Sequence, residues 1–154
     1  MAAVSRMWRL VYTLWLVELG LVIVIWLGVP LVVPRSGDVD AAVNLIALIF
    51  YAVGLAEIAF GWRMNARALA PDRLTGARSA EEALGRIVGS SLVAVTLAAT
   101  PAFSGLVLYL ALGHRAGLGV LCVLSLIGLA ILRPHREQWQ ELLMVTRIDA
   151  NRPA

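Results

Sequence analysis

The sequence predicts an all-α integral membrane four-helix bundle with both termini in the cytoplasm, and three observations lead there. Of the 154 residues, 60% are apolar and only 15% are charged, more apolar side chain than a soluble domain of this size can bury. The apolar residues fall into four blocks, approximately 10–33, 41–62, 87–112 and 116–132, each near the roughly 20 residues that a bilayer core requires. The thirteen basic residues, all arginine, are unevenly placed. Arg6 and Arg9 precede the first block, Arg63, Arg67, Arg73, Arg78 and Arg86 fill the middle loop, and Arg133, Arg136, Arg147 and Arg152 follow the last. Only Arg35 and Arg115 lie in the other two connections. That bias puts the ends and the middle loop on the cytoplasmic side.

The chain then reads as one membrane domain, with a cytoplasmic loop at 63–86 and a cytoplasmic tail at 133–154. The arginine placement explains the net charge of +3 as a topology device, and no basic patch interleaved with exposed aromatics points to nucleic acid. The expected location is a bacterial inner membrane, crossed several times, with the lipid bilayer as the first partner. Cys122 is the single cysteine and falls in the fourth span, which leaves no disulfide. The apolar run at the N-terminus is longer than a signal-peptide core and lacks a small-residue cleavage site, so it reads as a retained helix.

In the first span, Glu18 lies nine residues beyond Arg9, roughly 13 Å inward at helical rise. Trp8, Tyr12, Trp15 and Trp26 are candidate interfacial anchors. Pro30 and Pro34 loosen its outer end, and the turn-like connection 35–40 offers Asp40 as a cap for the second helix. In the second span, Gly54 and Gly61 stand two turns apart, with Ala47 continuing their line, a face suited to close helix approach. Asn44 sits near its outer end and Glu57 five residues before Trp62. Pro71 and Gly76 break the loop, and Ser79 with Glu82 forms a capping-box pattern that starts the third helix.

The third span is the element around which the bundle is expected to form. Ser90, Ala94, Ala98 and Ala102 recur at i, i+4 and stack on one face. Pro101 predicts a kink by freeing the carbonyl of Leu97, with Thr96, Thr100 and Ser104 near enough to compensate. A tight outer turn at 113–117 returns the fourth span. In the tail, Trp139, Leu142, Leu143 and Thr146 share a face, which predicts an amphipathic helix on the inner membrane surface.

Chemistry has few candidates. Glu18 and Glu57 fall within about two turns of one depth, where a carboxylate must be protonated, paired or hydrated. They are candidates to share a proton, or to bind a cation with oxygens from Thr96 or Ser91. The alternative is two protonated, hydrogen-bonded structural residues, or Glu57 reaching back to Arg63. His114 and His135 lie on opposite sides of the membrane, so no metal site is expected. No cofactor fingerprint is present either.

Residues 98–112, ATPAFSGLVLYLAL after the first alanine, resemble the carboxylate-bearing helix of the c-type proteolipids of rotary ATP synthases. The aliphatic run Gly105-Leu106-Val107 matches that family's run, and the resemblance places Ala99 where the ion-carrying acid stands. It implies a proteolipid-like hairpin without ion carriage at that position. The length and span number are also similar to those of small four-span glutathione-using enzymes, whose arginine–asparagine signature Arg63, Asn65 and Arg67 echo. The leading expectation is non-enzymatic, a subunit that packs against itself or a larger membrane partner through the third helix. Proton or cation movement at Glu18 and Glu57 is the alternative, and a small membrane enzyme the third reading.

Overall fold

Every regular element among the described residues is a helix. The computed structural model describes residues 2–34, 41–70, 79–135, 137, 139 and 140. Helix α1 is Ala2–Val32, α2 is Ala41–Ala68, α3 is Ala80–Leu112 and α4 is Arg115–Ile131. The first three are long and apolar enough to cross a membrane, and α4 is a shorter apolar helix. At 17 residues, α4 rises about 25 Å, at the lower limit for a span.

Helices α1, α2 and α3 overrun the apolar blocks at their arginine-rich ends. Helix α1 begins at Ala2 rather than near residue 10, α2 runs on to Ala68, and α3 begins at Ala80. The flanking residues are good helix formers, so hydropathy marks the apolar length rather than the helical length. Ser79 is the N-cap of α3, its hydroxyl accepting from the Glu82 N–H at 3.1 Å. Helix α3 ends on Gly113, whose left-handed φ of 71° lets its N–H return to the Tyr109 carbonyl at 2.8 Å. His114 then caps α4, its Nδ1 accepting from the Gly117 N–H at 2.7 Å. A methyl at 117 would meet His114 Nδ1 and Leu108, so the capping ring and the Leu108 side chain would have to shift to admit it. The connection 35–40 with Asp40, the loop residues Pro71 and Gly76, and Leu142, Leu143 and Thr146 of the tail lie outside the described residues.

Helix α3 packs on all three of the others, and α1 and α2 also both reach α4. Helices α1 and α2 make no comparable contact with each other. In cross-section the helices therefore form a rhombus, with α3 and α4 across the short diagonal and α1 and α2 at the far corners. Small residues set the spacing along that diagonal and against α2. A Cβ built on Gly61 would stand 3.3 Å from the Ala94 carbonyl oxygen, and one on Gly54 3.1 Å from Pro101. One on Gly128 of α4 would stand 3.2 Å from Ala98 Cβ. Ala94, Ala98 and Ala102 are all buried, so this alanine face of α3 is occupied by the chain's own helices.

Specific hydrogen bonds pin the seams. The Trp15 indole donates to the Leu129 carbonyl of α4 at 2.7 Å, and the Tyr109 hydroxyl to the Val33 carbonyl at 2.7 Å. Trp15 is buried, and Trp8, Tyr12 and Trp15 stack ring on ring at 4.9 and 5.7 Å. These aromatics, expected as interfacial anchors, pack one end of the bundle, because i, i+4 and i, i+3 spacing carries them onto the α1 face that meets α3 and α4. Trp139 likewise turns inward, joining Val11, Ala83, Leu84 and Ile87 in a second apolar cluster.

Candidate functional site: glutamates on the flanking helices

Glu18 belongs to the packed face of α1. Val11, Trp15, Val22 and Ile25 are buried, and residue 18 completes that line at helical spacing. Glu57 stands three residues after buried Gly54 and four before buried Gly61, on the flank of the α2 face that meets α3. Each is half-buried. In each, Oε2 is enclosed and has no hydrogen-bond partner, the only such buried side-chain atoms among the described residues. No ion pair joins Glu57 to Arg63.

Contacts fix the relative depth of the two. Gly61 lies against Ala94 and Gly54 against Pro101, so Glu57 is level with about residue 98 of α3. Trp15 bonds Leu129 of α4, while Gly128 abuts Ala98, which puts Glu18 within about a turn or two of the same level. Depth is shared, but the helices are not neighbours. The α3–α4 pair stands between the far corners, so no seam gathers both carboxylates. Thr96 is exposed on the outer side of α3, and the Thr96 carbonyl accepts from the Thr100 hydroxyl at 3.0 Å. Ser91 donates to Asn65 Oδ1 at 3.0 Å, tying α3 to α2. Glu18, Glu57 and Thr96 thus occupy three separate surfaces. An isolated neutral carboxyl holds a proton, whereas a hard cation asks for several oxygens at once.

The surroundings of Pro101 differ from the sequence reading in one respect. Helix α3 runs unbroken past the proline, and the hydroxyl that serves this turn comes from another helix. Ser125 of α4, fully buried, accepts from the Ala102 N–H at 2.9 Å and donates to the Ala99 carbonyl at 3.3 Å. Thr100 spends its hydroxyl one turn back, on Thr96, and Ser90 on the Ile87 carbonyl at 3.0 Å. Ser125 was invisible as a partner because sequence spacing orders residues along one helix, not the facing of two. At the opposite end His114 Nε2 meets Asn44 Oδ1 at 3.3 Å. With Nδ1 accepting, Nε2 carries the hydrogen and donates, so Asn44 fastens α2 to the α3–α4 turn.

No family model, no curated protein and no solved structure matches the chain. The proteolipid likeness rests on residues 98–112 alone.

Proposed function

We propose that the chain is a non-enzymatic, multi-pass inner-membrane protein with its ends in the cytoplasm, acting as a helix-packing subunit that associates with a second copy of itself. One observation carries this reading: small residues face outward as well as inward. Ala52, Ala56 and Ala59 of α2 are exposed, opposite the Ala47–Gly54–Gly61 line that packs on α3. Gly85 and Gly89 of α3 are exposed too, with open space where a Cβ would stand. Leucine and valine on the outside need no partner in lipid, but small residues let another backbone approach and gain van der Waals contact. The alanine face of α3 is spent within the chain, so association falls to these outer faces. The test is the mass of the complex in mild detergent. A dimer or larger assembly that A56L reduces to single chains supports the reading, and a monomer in every mild detergent ends it.

A second reading is favoured by the two enclosed carboxyl oxygens. An unpartnered acid within a span is a candidate proton carrier, and Glu18 and Glu57 would then act as separate single-proton sites. Proton flux in vesicles that E18Q or E57Q abolishes, with assembly intact, selects this reading. Equal flux in both variants removes it.

A further inference from the structure

At the end where α2 leaves its apolar stretch, a cleft of about 490 Å³ opens between α2 and α3. Arg63 and Arg67 line it from α2, and Arg86 and Ser90 from α3. Phe60 and Met64 supply its apolar wall. No acidic side chain lines it among the described residues. Arg86 also pairs with Glu82 at 2.7 Å. Arg63 and Arg67 are exposed and one turn apart, about 6 Å along the axis. The Asn65–Ser91 bond holds the two walls together beside them.

From these features we infer that the cleft is a binding site for the phosphate of an anionic phospholipid. Planar guanidinium forks match phosphate oxygens in pairs. Ser90 lines the same space as Arg86 but gives its hydrogen to Ile87, so the donors toward a phosphate are the arginines. Phe60, 61% exposed, stands one turn nearer the bilayer than Arg63. A ligand with phosphate at the arginines and an acyl chain along Phe60 and Met64 satisfies both halves of the cleft. A free phosphate satisfies only the first. Glu57 lies on the same line of α2 as Met64, seven residues deeper, so the chain would run toward that carboxyl.

The inference rests on the membrane reading, and its test separates the two. Carbonate extraction of the full-length protein comes first: release from the membrane refutes insertion without involving the cleft. The retained protein is then studied by native mass spectrometry from nanodiscs of phosphatidylcholine, with and without phosphatidylglycerol. Wild type should keep phosphatidylglycerol in preference to phosphatidylcholine. R63Q/R67Q should lose roughly tenfold or more of that preference, on the scale of two cations at an anionic surface. R63K/R67K preserves the charge that sets topology and should retain only part of the preference. R9Q, remote from the cleft, should match wild type. Equal phosphatidylglycerol retention in folded R63Q/R67Q, or displacement of the lipid by millimolar inorganic phosphate, overturns the proposal.

Discussion

At Ser125 a single hydroxyl serves two backbone groups of a neighbouring helix. Replacing it by alanine leaves the Ala102 N–H and the Ala99 carbonyl without that partner in a buried seam. The expected cost is about 1–3 kcal/mol, read as a lower unfolding midpoint of S125A in mild detergent. Threonine at 125 keeps the hydroxyl and should recover part of the loss, whereas an unchanged S125A would mean that water or α3 itself serves those groups. Trp15 makes a parallel case. Its indole N–H meets the Leu129 carbonyl, one of the last carbonyls of α4 and without an intrahelical donor. W15F removes the donor together with part of a buried ring, and should destabilise by about 1–3 kcal/mol from the lost bond and the space left behind. Neither bond could be read from the sequence. Ser125 and Trp15 are ordinary residues of apolar helices until the rotations of α1, α3 and α4 about their axes are known.

Between helices, the arrangement turns on where glycine and alanine stand. Gly61 meets the Ala94 backbone and Gly54 meets Pro101, so G61L must lift α2 from α3, and overpacking of this kind costs about 1–3 kcal/mol. Leucine at Ala56, which is exposed, should leave the folded monomer unchanged and act only on association. The pair distinguishes inward from outward faces: G61L lowers the unfolding midpoint, and A56L lowers the mass of the complex. Equal effects of both on the midpoint would contradict the assigned rotation of α2. This level was largely legible in the sequence. The Ala47–Gly54–Gly61 line, the Ala94–Ala98–Ala102 face and the Ser79–Glu82 cap all follow from spacing within one helix, which the 3.6-residue period encodes. What spacing omits is which helix meets which face. The shared depth of Glu18 and Glu57 was readable from residue counts, but their separation was not, because it depends on α1 and α2 taking opposite corners. The inward turn of Trp139 was hidden for the same reason: the tail's apolar face fits a bundle end as well as a lipid surface.

Taken whole, the molecule is a rhombic bundle in which α3 is half buried and α1 and α2 are chiefly exposed apolar surface. In water that exposure would be untenable for a chain of this size, and in lipid it costs little. The membrane reading and the arginine bias together make one geometric claim, that the α2–α3 loop faces the cytoplasm and the α3–α4 turn the other side. Cys122 is buried, so single-cysteine labelling has a quiet background once that residue is replaced by alanine. The most direct measurement places a cysteine at Ala66 or at Ala116, both exposed, and treats intact spheroplasts with a membrane-impermeant thiol reagent. The account predicts labelling of A116C from outside, and of A66C only after the membrane is opened. Labelling of A66C in intact cells, with A116C protected until lysis, would contradict it.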